Sequence, residues 1–275
     1  SPSAFQAIAY IQDKEKQIMV GEFSLSPSML PTEIILRLTS GKTILYPLTI
    51  PEGYRITEIA SLLDTQGLAS SEVFILQTQD KDLIKSMDIP TDSLEGYLFP
   101  ETYYLSKLTP EKKIVQKMVN TFKEKVLKSQ LLKSSKESPL SLHEIITLAS
   151  LIEKETGLDS ERKLISSVFH NRLRKNMRLQ TDPTVIYAIE KFDGNIRKRD
   201  LKIDSPYNTY RYKGLPPGPI SSPGIKSIEA AIFPIKSNHL YFVSRQDGSH
   251  HFSSTLVEHN QAVKKYQLRK VNSRR

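Results

Sequence analysis

The stretch LASLIEKETG ends a strongly apolar run on two glutamates, Glu153 and Glu155, whose type and placement suit acid–base chemistry. On a helical wheel of about 100° per residue, Glu155 falls about 20° from Leu148, between Leu148 and Leu151. Glu153 falls between Ile146 and Ala149. Both flank the apolar stripe, and the wheel does not choose between them. Glu155 also occupies the last helical turn, where free carbonyls and the macrodipole disfavour negative charge. Partial desolvation pushes the same way, toward a carboxyl that keeps its proton near neutral pH and gives it to an oxygen leaving group. A plainer reading stays open on these residues alone: a frayed helix end with two solvated glutamates bracketing Lys154.

Other chemistries find less support. The six histidines (His143, His170, His239, His250, His251 and His259) include no HExxH or comparable ligand spacing, so no metal is expected. With no cysteine, disulfides, thiolate catalysis and Cys-ligated zinc are excluded. There is no GxSxG nucleophile elbow, and Ser221 and Ser222 follow a proline-rich turn rather than a strand. Neither a GxGxxG nor a Walker motif is present, and no cofactor is implied.

The elements that must position the carboxylates are legible in outline. Ser141 and Glu144 form a capping box, so a helix is expected from Leu142 to Thr156, stopped by Gly157. A second helix is expected over Ser160 to Lys175, and a third over Thr184 to Ile189 after Asp182 and Pro183. Upstream, Ala4 to Ile11 is a short apolar segment, Gln17 to Leu25 is strand-like, and Leu30 to Leu38 has helical spacing. Thr43 to Ile50 predicts a strand ended by Pro51 to Gly53, followed by a helix through Ile56, Ile59 and Leu63 that Gly67 ends. A further helical piece runs from Ser70 or Ser71 to Gln77. The aromatic segment DSLEGYLFPETYY, Asp92 to Tyr104, reads as a structured connector rather than helix or simple strand. Pro110 to Leu132 predicts an amphipathic helix, and Lys133 to Ser138 a loop or lid. Ser205 to Gly224 is rich in proline and tyrosine and predicts a rigid, packed loop. Leu240 to Ser244 and His251 to Ser254 flank Asp247 and Gly248 as a hairpin, and Leu256 to Leu268 closes the chain as a helix.

A chain of 275 residues, 38% hydrophobic and 25% charged, is long enough for a large core without staples. The balance of 39 basic against 30 acidic residues, a net +9, favours anionic neighbours without naming one. Basic residues cluster only at Arg172 to Arg178, Arg197 to Lys202 and Lys264 to Arg275, and no nucleic-acid partner is expected. No apolar run has the length of a membrane span, and no signal peptide opens the chain. Because it begins at Ser1, the chain reads as a processed or excised form from which an anchor has been removed.

Four long motifs, LASLIEKETG, ERKLISSVFHNRLRKNMRLQTDPTVIYAI, SPYNTYRYKGLPPGPISSPGIKSIEAAIFP and LYFVSRQDGSHHFSSTLVEHN, resemble in the same order the YceG-like (MltG) family of bacterial endolytic murein transglycosylases. EGYLFPETY and the upstream VGEFSLSPSMLPTEIILRLTSG with LTIPEGYRITEIASLL are similar to that family too. The resemblance implies an α+β fold: a partial LysM-like module over 1–50, a connector over 51–107 and a catalytic domain over 108–275. It implies cleavage of the β-1,4 bond between N-acetylmuramic acid and N-acetylglucosamine within glycan strands, leaving 1,6-anhydro ends. Glu155, the second glutamate of EKET, is then the acid/base. Gln180, Thr181 and Asp182 of RLQTDPT, with Tyr207, Asn208 and Tyr210 of SPYNTY, match family motifs and are expected to line the groove. Glu153 is expected either beside them, tuning Glu155, or in a structural ion pair with Arg162 or Lys163. Glu101 is a further, weaker candidate. The implied partners are peptidoglycan strands, cell-wall synthesis proteins and, through an N-terminal anchor, the cytoplasmic membrane, with the catalytic domain on its outer side. The competing reading is a noncatalytic peptidoglycan-binding scaffold of wall-synthesis complexes.

Overall fold

Ala9 of α1 (Pro2–Ile11) and Ile35 of α2 (Pro31–Thr39) are buried where these two helices pack together at the start of the chain. The computed structural model describes residues 2–129 and 139–268, so the expected loop or lid at Lys133 to Ser138 and the end of the basic tail lie outside the described residues.

Gln17 to Leu25 is not a strand. A 3-10 turn at Glu15–Gln17 gives way to irregular chain, held by Met19 N–H on the Leu38 carbonyl (3.1 Å) and by Ile44 N–H on the Glu22 carbonyl (2.7 Å). A strand needs a ladder partner. The neighbouring strand, β1 (Tyr46–Thr49), pairs instead with β2 (Thr102–Leu105), antiparallel in the register Tyr46↔Leu105 and Thr49↔Thr102. Ile18, Met19 and Val20 are left exposed.

β2 also corrects the reading of the aromatic segment as strand-free. Tyr103 and Leu105 alternate inward against Leu48 while Tyr104 points out, so its last residues satisfy the strand period of two. Its turn residues act just before. Gly96 has φ +84°, and a side chain there would press into the Pro219 ring, with a Cβ at 2.4 Å.

Between the two strands lie α3 (Ile56–Thr65), α4 (Ser71–Thr78) and α5 (Lys81–Ser86), with Ile59, Leu63, Phe74 and Ile84 buried. α6 (Glu111–Phe122) buries the predicted stripe Ile114, Val115, Met118, Val119 and Phe122 and continues as a π-helical turn, Lys123–Leu127.

At the centre is α7 (Leu142–Glu155), buried continuously from Ile145 to Ile152. The Ser141 and Glu144 box forms as predicted: Glu144 N–H donates to Ser141 Oγ (3.3 Å) and Ser141 N–H to Glu144 Oε2 (2.8 Å). α8 (Asp159–Arg174), α9 (Asp182–Ala188) and α10 (Ile225–Ile232) follow, α10 packing most extensively on α7. The hairpin β3 (Tyr241–Ser244) with β4 (His250–Ser253) turns at Gly248, and α11 (Leu256–Val263) leads into a last π-helical turn, Lys264–Leu268. The fold is α+β: helices packed around α7, with two small separate sheets among the described residues.

Candidate active site

One side of α7 fastens the proline-rich loop residue by residue. His143 Nε2 bonds the Pro217 carbonyl (2.9 Å), Ser150 Oγ accepts from Ile220 N–H (3.0 Å), and Glu153 Oε2 accepts from Gly224 N–H (3.0 Å). His143 is itself held by the Tyr97 hydroxyl on Nδ1 (2.8 Å), and Ser222 exchanges backbone bonds with Gly53 and Tyr54 (2.8 Å each). The second half of the loop, Pro217 to Gly224, is therefore fastened to α7 and to the chain at Gly53 and Tyr54, while 211–213 are exposed.

Glu153 belongs to this scaffold. Its Oε1 takes the Arg162 guanidinium (3.0 Å), each side chain is 7% exposed, and Arg162 also donates to Ser227 Oγ (2.7 Å) and Asp159 Oδ1 (3.1 Å). Of the two partners the sequence offered, Arg162 is the real one, because Lys163 pairs with Glu229 (2.7 Å). Both Glu153 oxygens are engaged in this scaffold. Glu52, which sequence reasoning passed over, fills the space beside Gly224, and a side chain on that glycine would overlap its carboxyl. Burial, then the Glu153 charge, raises the Glu52 pKa.

Glu155 is placed differently. α7 ends at Glu155, one residue earlier than expected, because Thr156 turns extended (φ −146°, ψ 139°) and its hydroxyl accepts from Leu158 N–H (3.0 Å). Gly157 does not take the left-handed stop conformation, since Thr156 has already broken the helix. The Glu155 carboxyl lies against α9, where the Thr181 hydroxyl donates to its Oε1. Burial pushes its pKa up to about 7, and the Asp182 charge adds to that effect. The Thr181 bond and the Arg172 charge pull the other way. A carboxyl so poised keeps its proton near neutral pH and can both give and take one.

The turn before α9 aims Thr181. Gln180 is in the left-handed region (φ +51°), rare for a residue with a side chain, and its N–H and that of Thr181 bond the Thr209 carbonyl (3.2 Å) and hydroxyl (3.1 Å). Buried Arg172 braces the turn through the carbonyls of Arg178 (3.2 Å) and Leu179 (2.8 Å) and Gln180 Oε1 (3.3 Å). Asp182 is exposed and accepts from the Tyr210 hydroxyl (2.5 Å). Thus Thr181, Asp182 and Tyr210 gather around Glu155, and Gln180 stands at the turn that delivers them.

The remaining candidates lie elsewhere. Asn208 is fully buried, donates to the carbonyls of Leu201 (3.0 Å) and Ile203 (2.8 Å) and accepts from Tyr210 N–H (3.0 Å). It shapes the loop that presents Tyr210. Tyr207 packs on Tyr187 with ring centroids 4.8 Å apart, beside buried Glu95. Glu101 is solvated and pairs with Lys125 at 3.5 Å.

Sequence reasoning missed Arg172, Glu95 and the pair Glu161 and His250. Only the hairpin signal pointed near His250, and no local pattern marks a buried arginine whose partners are carbonyls. Among the described residues no group of three or more His, Cys, Asp or Glu could hold a metal, and no helix is long and apolar enough to cross a membrane.

Comparison with known proteins places this geometry. Residues 1–265 match the YceG-like family. An endolytic murein transglycosylase of Bacillus subtilis (strain 168) is 38% identical over 286 aligned positions, covering 97% of this chain and 78% of that protein. One from Streptococcus pneumoniae serotype 2 (strain D39) is 32% identical over 93% of this chain, which spans 52% of that relative's length. The crystal structure of a YceG-like protein from Listeria monocytogenes superposes with a TM-score of 0.72 at 35% identity, covering 95% of this chain and 90% of that one. With the match running nearly from end to end, the chain belongs to the YceG-like family.

Proposed function

We propose that this chain is an endolytic lytic transglycosylase of peptidoglycan, cleaving the MurNAc-β-1,4-GlcNAc bond within glycan strands and leaving 1,6-anhydro muramyl ends. The observation that carries the reading is the Glu155 carboxyl, half-buried at the end of α7, held by Thr181 and with its pKa raised to about 7. The names of the curated relatives give the substrate class.

Glu155 begins protonated and gives its proton to the glycosidic oxygen as the bond to the muramyl anomeric carbon breaks. The resulting carboxylate takes the proton of the muramyl 6-hydroxyl as that oxygen closes on the same carbon. The proton balance returns Glu155 to its starting form without water. Hydrolytic glycosidases need a second carboxylate for water or for a covalent intermediate. Here the nearby Asp182 is bonded to Tyr210, and it serves to keep the Glu155 proton in place.

The setting belongs to the same proposal: a single-pass anchor in the cytoplasmic membrane, the catalytic domain on the outer side, and work alongside cell-wall synthesis proteins. A net charge of +9 suits a place next to an anionic membrane surface. Residues 1–50 serve as a partial LysM-like module and 108–275 as the catalytic domain.

Mass spectrometry of glycan strands treated with the protein and with Glu155→Gln tests the reading. Anhydro ends, one water lighter than hydrolytic ends and absent with the variant, are expected. Reducing ends would make the protein a hydrolase, and glycan binding without cleavage would make it a scaffold.

A further inference from the structure

β4 opens on His250, and Glu161 in the first turn of α8 grips it twice. The His250 backbone N–H donates to Glu161 Oε1 (2.9 Å), and its ring Nδ1 lies 2.7 Å from Glu161 Oε2. Both side chains are 12% exposed. The ring stands perpendicular to Phe242 at 5.5 Å and is flanked by Phe252 at 6.5 Å, so its position and rotation are fixed.

A carboxylate on Nδ1 selects the tautomer with the proton there, which makes Nε2 an acceptor. Among the described residues Nε2 has no hydrogen-bond partner, and it is not one of the sealed, unpartnered polar atoms of the interior, so it still meets solvent. The contrast with His143 is instructive. That ring, which only joins elements, spends both nitrogens on protein groups.

The place of the ring matters as much as its freedom. Only a short turn, residues 156–158, separates Glu155, at the end of α7, from α8, whose first turn carries Glu161 and so ties the His250 ring to that end of α7. A fixed acceptor with one open nitrogen, clamped to the helix that follows Glu155, is a means of holding substrate.

The geometry points to His250 as a second catalytic residue, whose Nε2 accepts a hydrogen bond from a hydroxyl or acetamido N–H of the glycan beside the scissile bond, while Glu161 holds the ring in place. No proton is transferred to it. Its work is to fix the sugar so that the leaving oxygen faces Glu155. The inference rests on the glycan-cleaving reading above and adds a residue to it.

Two measurements test it. His250→Phe keeps the ring's bulk and removes the acceptor, and kcat/KM for anhydro-end formation should fall about tenfold or more. His250→Gln, which restores an acceptor near Nε2, should recover part of that loss. Independently, ¹⁵N-histidine NMR of the Glu155→Gln protein should show the His250 Nε2 resonance moving when purified glycan strands are added, with the His143 ring unchanged. Wild-type turnover in His250→Phe, or a His250 resonance that stays put while the strands bind, overturns the inference. If the wild type forms no anhydro ends, the parent reading fails first and separately.

Discussion

Thr181 stands at the N-cap position of α9, yet its hydroxyl does not cap that helix; it donates to Glu155 Oε1 at the end of α7. Ser, Thr, Asp and Asn at an N-cap normally spend their oxygen on the exposed N–H groups of the first turn. Here the turn is held instead by Thr184, whose hydroxyl donates to the Thr181 carbonyl (2.7 Å) and meets Thr209 Oγ1 at 2.9 Å. Thr181 is thereby released to orient the carboxyl. With one oxygen engaged, the other is left to carry the acidic proton.

Thr181→Val should move the alkaline limb of the activity profile upward. The bond from Thr181 stabilises the charged carboxylate, so its loss raises a pKa already near 7. A general acid works only while protonated, so turnover in the variant should begin to fall at higher pH than in the wild type. At the optimum the variant should be slower, by roughly tenfold or more, because the carboxyl is no longer held in one orientation. A pH–rate series on soluble glycan strands reads both effects. A limb that stays in place would remove Thr181 from the site.

Asp182→Asn should do the reverse. Its negative charge raises the Glu155 pKa, so neutralising it lowers that pKa and turnover should fall off at a lower pH. The opposite signs of these two shifts test the electrostatic account, since general damage to the fold would not move the limb in opposite directions.

The two glutamates of EKET show where sequence alone reaches its limit. The apolar stripe, the capping box and the start of α7 are set within a few residues, and they were legible for that reason. The wheel placed Glu153 and Glu155 alike at the edge of the stripe. What separates them is remote in sequence: Arg162, Ser227 and Gly224 around one, Thr181 around the other. Gln17 to Leu25 misled for a related reason, since a β-like pattern does not reveal whether a partner edge is free. Asn208 misled because matching a family motif does not tell a sugar contact from a loop brace, and its bonds to Leu201 and Ile203 are those of a brace.

Glu153→Ala should act on stability first. It strips an acceptor from a guanidinium that is 7% exposed and from Gly224 N–H, and breaking a buried pair from one side costs about 3–5 kcal/mol. Asp159 and Ser227 remain on Arg162, which places the expected loss at the low end. A urea midpoint lowered to match, with anhydro ends still formed by the folded fraction, is expected. An unchanged midpoint with abolished cleavage would return Glu153 to the groove.

Glu95→Gln should make the protein less sensitive to pH. Glu95 is buried, accepts from Ile56 N–H (3.2 Å) and from the Tyr187 hydroxyl (3.5 Å), and has Arg55 nearby, set over the Tyr187 ring at 5.1 Å. Burial outweighs these contacts and pushes its pKa up to about 7 from 4.5. Between those values the folded chain binds more protons than the unfolded one, so Glu95 subtracts stability as pH rises through this window and no further above it. The full subtraction is on the order of 3 kcal/mol at most. Glutamine keeps an acceptor for Ile56 and carries no charge. Thermal melts should therefore show the variant close to wild type at pH 5 and more stable at pH 8, with the residual wild-type-like slope coming from Glu155. A variant less stable than wild type at pH 8 would mean that the carboxylate is needed in its charged form, as a partner for Arg55.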